Sequence, residues 1–188
     1  MIHSPRMPSF ARSVPDGDTL ERAVCTQCGF VAYENPKVVT GAVVVHEGRV
    51  LLCRRAIEPR RGFWTLPAGY LELLETVEEG AMREALEEAE ARIALDGLLA
   101  VFSISRIGQV QTLFRARFDG PPHFAPGVES LDVRLFAWDE IPWEEIAFPS
   151  VHWALEAWRV AGDGPLGPPA GNPALDRRGT GRLPESVA

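Results

Sequence analysis

The chain has no apolar run close to the roughly 20 residues that span a bilayer as a helix, so no membrane-crossing helix is expected. Its opening stretch, MIHSPRMPSFARSVPDGD, lacks the continuous apolar core of a secretory signal. Cysteine is scarce: three in 188 residues, an odd number that builds no disulfide framework and points to a reducing, cytoplasmic setting. Positive charge is also in deficit. A net charge of −7 argues against general nucleic-acid binding, which depends on basic patches that neutralise phosphates, and the short flanks hold no DNA-binding module. There is no internal repeat. What is present, 46% hydrophobic and 24% charged residues, is the composition of an ordinary folded domain.

Three parts follow from the patterning. Residues 1–36 are poor in apolar periodicity, rich in Pro, Gly and Asp, and end at Asn35-Pro36. Residues 37–162 carry the periodic segments. Residues 163–188 hold too little apolar content to bury, so a disordered tail is expected. In the middle part VVTGAVVVH and RVLLCRRAI flank Glu47-Gly48, a two-residue hairpin signal, and their near-continuous Val and Leu content predicts strands buried on both faces. FWTLP reads as a short strand stopped by Pro67, and Gly69 to Leu74 as a loop. ALDGLLAVFSISRI and QVQTLFRARF read as strands joined around Gly108, with DVRLFAW as a further strand. SVHWALEAWRVA reads as a helix turning Val151, Leu155 and Trp158 inward. Strands interleaved with two helices predict an α/β fold.

The segment GYLELLETVEEGAMREALEEAEA, Gly69 to Ala91, carries the chemistry. Thr76-x-x-Glu79 is a capping box that starts a helix from about Val77 to Ala89. At roughly 100° per residue, Glu84, Glu87 and Glu88 project into one sector with Arg83 on its edge. Met82, Ala85, Leu86 and Ala89 fall opposite and are expected to face the core. Like charges at i,i+4 destabilise a helix; three convergent carboxylates need a counter-charge, and hard divalent cations with oxygen ligands supply it.

The same segment resembles the box of the Nudix hydrolase family, G-x5-E-x7-R-E-U-x-E-E-x-G-U with U aliphatic. Gly69, Glu75, Arg83, Glu84, Ala85, Glu87, Glu88 and Ala91 fall in register. Glu90 stands at the second box glycine, where a left-handed helix cap is usual, and Leu74 stands where relatives often carry glycine. The resemblance implies the Nudix fold, a mixed β-sheet between helices, and Mg²⁺-dependent hydrolysis of a diphosphate bridge, with Mn²⁺ as a substitute ion. It implies Glu84, Glu87 and Glu88 as metal ligands, with Arg83 and Glu75 orienting them. Gly80 reads either as space for a phosphate or as a tolerated helix glycine. A further carboxylate, ligand or base, is expected from a distant loop, with Glu129 first and Asp132 second.

CTQCGFVAYENPKVV, LLCRRAIEPRRGFWTLPAGYLE, SRIGQ and HFAPGVESLDVRLFAWDEIPWEEIAF extend the likeness over about residues 15 to 150. They resemble a Nudix branch that acts on ADP-ribose and FAD and often begins with a zinc ribbon. The SQPWPFPxS array of the NADH pyrophosphatases is missing after Ala91. Cys25-Thr-Gln-Cys28 is one zinc knuckle, but four ligands are needed. No cysteine pair lies upstream, and His3 alone does not complete the set, so zinc is not expected within one chain and the knuckle is expected as a turn or disordered remnant. Cys53 reads as core. Of the aromatics and arginines near the box entrance (Phe63, Trp64, Tyr70, Arg60, Arg61 and Arg106), Tyr70 and Arg106, with Gly69, are the expected substrate contacts. The resemblance also implies a homodimer. The expected reaction releases AMP from ADP-ribose or FAD; the alternatives are a dNTP-sanitising hydrolase and a weakly catalytic nucleotide sensor.

Overall fold

The computed structural model describes residues 8–174. They fall into two units that divide between Pro36 and Lys37. The first is a three-stranded antiparallel sheet of β1 (Phe10–Ser13), β2 (Arg22–Cys25) and β3 (Val31–Ala32), in that order. Its knuckle is an ordered turn: Cys25 N–H donates to Phe30 O at 2.8 Å and Gly29 N–H to Cys25 O at 2.9 Å. Gly29 has φ +74°, which a side chain would strain.

The second unit is built on β4 (Lys37–His46), β5 (Arg49–Arg55), β6 (Trp64–Thr65), β7 (Ala68–Tyr70), α1 (Val77–Ala89), β8 (Ile93–Ile104), β9 (Gln109–Phe118), β10 (Ser130–Phe136) and α2 (Pro149–Ala161). Glu47 and Gly48 both take positive φ, 49° and 72°, the combination that matches a two-residue turn to strand twist. The sheet runs β10-β5-β4-β9-β8, with β6 on β5 and β7 on β4. All its pairings are antiparallel except β4 with β9. Alternation along β4 and β5 makes the sandwich. Ala42, Val44, Leu51 and Cys53 join Ala85 and Ala89 of α1. Val43, Val50 and Leu52 join Val151, Ala154, Leu155 and Trp158 of α2. The fold is the Nudix fold that the box implies.

Helix α1 begins as its sequence requires. Glu79 N–H donates to Thr76 Oγ1 at 3.2 Å and Thr76 N–H to Glu79 Oε2 at 2.8 Å. Its buried face differs from the hydrophobic pattern. Met82 is 38% and Leu86 43% exposed, whereas Gly80, Ala81, Glu84, Ala85, Glu88 and Ala89 are buried. Small residues let the helix approach the sheet closely: a Cβ on Gly80 would meet Thr40 Cγ2 at 2.6 Å, and Thr40 Oγ1 donates to Val77 O at 2.6 Å. Gly80 therefore serves helix–sheet packing rather than leaving room for a phosphate. Gly69 and Tyr70, read as loop, belong to β7, which pairs with β4 from Gly41 to Val39.

The helix ends on Glu90 at φ 50°, ψ 22°, left-handed, with its N–H shared between Ala85 O and Leu86 O. A non-glycine residue there costs about 1 kcal/mol, and a carboxylate at a helix C-terminus opposes the dipole. Glu90→Gly is expected to stabilise the protein by about 1 kcal/mol, read as a higher melting temperature; an unchanged or lower one would show that Glu90 sits without strain. Leu74 is likewise left-handed, at φ 72°.

The boundary at 162 underrates the residues that follow. Leu166 and Ala170 pack against the α2-side core, Val101 N–H donates to Ala170 O at 2.8 Å, and the Asn172 amide makes two bonds to the Ser103 backbone, at 2.8 and 2.9 Å. β8 ends the sheet, and an uncovered edge strand invites pairing between chains; residues 166–172 cover it. Residues 175–188 of the expected disordered tail lie outside the described residues. Ending the chain after Gly162 is expected to lower the melting temperature and promote self-association, read by light scattering during a thermal ramp.

Candidate active site

β4 and β5 pair only near their turn, at Val45↔Val50 and His46↔Arg49. Beyond it they part, and residues 64–70 fill the opening: β6 pairs with the end of β5, β7 with the start of β4, and Ala42 N–H donates to Pro67 O at 3.1 Å. Helix α1 lies over this wedge. Gly69 faces it so closely that a Cβ would overlap the Glu84 carboxylate.

Arg83 is the hub. Its Nε and Nη2 donate to Glu75 at 3.0 and 2.8 Å, Nη2 also to Tyr70 O at 3.0 Å, and Nη1 to Glu84 and Glu87 at 2.7 and 2.9 Å. All five guanidinium N–H groups are thus engaged. The Arg83 bonds, with the Glu72 N–H at 2.7 Å, hold the Glu75 carboxyl down at about 2, and Glu75 in turn raises the Arg83 pKa. Glu75 and Arg83 are therefore a fixed ion pair that steers Glu84 and Glu87.

Glu84 and Glu88 are 8% and 6% exposed. Burial pushes Glu84 above the ordinary carboxylate range against the pull of Arg83, and Glu87 and Glu129 add like charge. Glu88 is pushed up to about 8, again by burial first; Glu84 and Glu129 raise it, while the Ala68 N–H at 3.1 Å and the charge of Arg55 lower it. The loop between β9 and β10 thus brings Glu129 to the two buried carboxylates across some forty residues of chain. Asp132 is bound to Arg134 at 2.6 Å.

The donor set suits a hard divalent cation. Glu84, Glu87, Glu88 and Glu129 are all oxygen donors, two of them are buried at a desolvation cost that a cation would offset, and the nearest arginine is fully engaged. The shell is not preassembled: no group of three or more acidic, His or Cys residues among the described residues is drawn together tightly enough to hold an ion as it stands, and Arg83 engages Glu84 and Glu87. Cys25 and Cys28 are free thiols. The N–H groups of Gln27 and Cys28 hold the Cys25 thiol below its ordinary range; no further pair of ligands joins them among the described residues, and His3 lies outside these.

Of the substrate candidates, Tyr70 is 52% exposed, with Lys37 Nζ 5.2 Å from its ring centroid and Gln109 Nε2 donating to its hydroxyl at 3.2 Å. Arg106 is exposed in the single-turn helix Ser105–Ile107, next to Gly108, whose carbonyl accepts the Lys37 N–H. Trp64 is core, 5% exposed. Arg60 stacks on Phe63 at 5.3 Å. Cys53 is buried beside Glu88, and burial raises its thiol pKa.

Two contributors escape the sequence patterns. Arg55 ends a buried strand, stacks on Phe148 at 5.2 Å and lends its charge to Glu88; the only signal was an arginine closing an apolar run. Gly127 docks the Glu129 loop on α1, its N–H donating to Glu88 O at 3.1 Å; its signal was a glycine two residues before a candidate carboxylate.

Comparisons agree with this geometry. The NUDIX domain model matches residues 35–155 and the Nudix N-terminal model residues 8–34. The crystal structure of a Nudix hydrolase from Nitrosomonas europaea is 46% identical, covers 90% of this chain and 94% of its own, and superposes with a TM-score of 0.81. A MutT-like protein of Streptomyces ambofaciens is 43% identical over 44% of this chain and 51% of its own, and an ADP-ribose pyrophosphatase of Methanocaldococcus jannaschii 35% identical over 38% and 42%. The chain spans about half the length of these curated relatives. Since the matched domain covers most of the chain and places its box on α1, with Glu84 and Glu88 buried against β7, this protein belongs to the Nudix hydrolase family.

Proposed function

We propose that the chain is a Mg²⁺-dependent pyrophosphatase that splits the diphosphate bridge of a nucleoside diphosphate derivative, ADP-ribose or FAD, and releases AMP. The observation that carries this reading is the buried pair Glu84 and Glu88, whose carboxyls burial and the like charge of Glu129 push up despite Arg83 and Arg55. A divalent ion held there would neutralise the diphosphate and act as a Lewis acid toward it. The protein's own part is orientation. Arg83, locked by Glu75, sets the rotamers of Glu84 and Glu87, and the Ala68 N–H sets that of Glu88. Glu129, exposed and adding like charge to both, would accept a proton from an attacking water. Among the described residues no helix is long and apolar enough to cross a membrane. We expect a homodimer, which light scattering at several concentrations would measure.

A screen of FAD, ADP-ribose, NADH and dNTPs with Mg²⁺ and Mn²⁺ tests the reading. AMP from ADP-ribose or FAD supports it; dNMP and pyrophosphate from dNTPs would replace it with a sanitising hydrolase. That second reading has support in names: the Streptomyces relative is described as MutT-like, and a Bacillus subtilis relative, 30% identical over 53% of this chain, as a putative 8-oxo-dGTP diphosphatase. Glu129→Gln is expected to lower kcat more than it raises KM; an unchanged kcat would remove Glu129 from the chemistry.

A further inference from the structure

The two faces of the sheet are not equally covered. On the α2 side the odd-numbered residues of β4 and β9 start well buried, with Val43 at 0% and Leu113 at 3% exposure. Toward the other end of the same strands, that face carries Lys37, Val39, Gln109 and Gln111, none of them buried. The register lines up Tyr70, Val39, Gln111 and Phe102 in one row across four strands. β9 lies between β4 and β8, well inside the sheet. Two amides on a central strand would be costly under a helix; they persist here because the face is open. The row has an aromatic at each end: exposed Tyr70 on one side, and on the other Trp153 of α2, edge-on to Phe102 at 5.4 Å, with its indole N–H buried and without a partner among the described residues.

The amides are linked. Gln111 Nε2 donates to Gln109 Oε1 at 3.4 Å, and Gln109 Nε2 to Tyr70 Oη at 3.2 Å. Among the described residues this leaves Gln111 its carbonyl oxygen and one N–H for a ligand. The floor and the acidic cluster lie on opposite faces of β7, and they meet at its backbone, where the Tyr70 carbonyl accepts from Arg83 Nη2 at 3.0 Å and the neighbouring Gly69 faces Glu84. A half-open floor with a glutamine amide between aromatics suits a planar heterocycle whose edge offers an adjacent donor and acceptor, and the paired contact of glutamine with adenine has that geometry.

We propose that Gln111, oriented by Gln109 and flanked by Tyr70, reads the amino-bearing edge of adenine and so selects the base of the nucleotide. This rests on the reading of the substrate as a nucleoside diphosphate derivative. Such a pair is worth roughly 10- to 100-fold in discrimination. The test compares AMP with purine riboside 5′-monophosphate, which lacks only the exocyclic amine, by calorimetric titration of wild type, Gln111→Leu and Gln111→Glu. Wild type should prefer AMP by at least about 10-fold. Gln111→Leu should reduce the preference to within about 2-fold, and Gln111→Glu, which keeps the acceptor for the amine but loses the donor to the ring nitrogen, should keep the preference while binding both nucleotides more weakly. In turnover of ADP-ribose the leucine variant should raise KM rather than lower kcat. Equal affinities in wild type, no binding of either, or a preference that survives in Gln111→Leu would overturn the proposal. The hydrolase reading fails separately: base preference lost in the variant, with no diphosphate turned over by wild type, would keep the base reader and reject the enzyme.

Discussion

Glu88→Gln is expected to lower kcat by at least about 10²-fold while raising the melting temperature of the metal-free protein. The two effects share a cause. Glu88 is 6% exposed and its pKa is pushed up to about 8, chiefly by burial. A carboxyl that titrates higher in the fold than in the unfolded chain favours folding in its protonated form. Its stability contribution is therefore present below the ordinary value of 4.5 and is lost as pH rises toward 8. A glutamine keeps the acceptor for the Ala68 N–H but carries no charge to desolvate. The melting-temperature gap between variant and wild type should be small near pH 5 and widen toward pH 8. Mg²⁺ should narrow it by stabilising wild type alone. Calorimetric melts at several pH values with and without Mg²⁺ measure all of this. A variant that melts lower than wild type at pH 8 without metal would contradict the reading of Glu88 as a buried charge awaiting a cation. Retained turnover would remove it from the ligand set.

Much of this site was legible because its signals are local. The capping box, the Arg83 to Glu88 spacing and the Glu47-Gly48 turn each involve residues that determine one another within a few positions. What stayed hidden depends on partners far along the chain. β7 is three residues, Ala-Gly-Tyr, with no strand pattern of its own, held by β4 some thirty residues earlier. The buried face of α1 ran against hydrophobicity because close approach to β4 and β7 admits only Gly80, Ala81, Ala85 and Ala89, and the carboxylates Glu84 and Glu88 take the neighbouring seats while Met82 and Leu86 turn outward. The covering of β8 by residues 166–172 uses backbone and a single asparagine, which composition does not register.

Gly127→Ala is expected to produce a large loss of both stability and rate, with a steric clash as its cause. Its φ is not in the left-handed region, so conformational freedom is not the issue. A Cβ at this position would instead overlap the Glu87 carbonyl oxygen. That oxygen belongs to the backbone of the last turn of α1 and has no rotamer by which to give way. Either the loop lifts or the helix end shifts. Lifting the loop breaks the Gly127 N–H bond to Glu88 O and strains the neighbouring Ala125 N–H bond to Ala89 O, 3.1 and 2.9 Å in the native protein. Each is worth about 1 kcal/mol. It also withdraws Glu129, two residues on, from Glu84 and Glu88. The expected result is a melting temperature lower by several degrees together with at least about 10-fold lower kcat, since a misplacement near 1 Å costs on the order of 10²-fold in well-oriented chemistry. Val128→Ala, at an exposed neighbour on the same loop, provides the control and should change neither. The direct readout of displacement is the pH dependence of metal-free stability. With Glu129 withdrawn, Glu88 loses one of the like charges that raise it, and the loss of stability with rising pH should shift to a lower range. A Gly127→Ala protein with native kcat and native melting temperature would show that the loop docks without the close approach seen at Glu87.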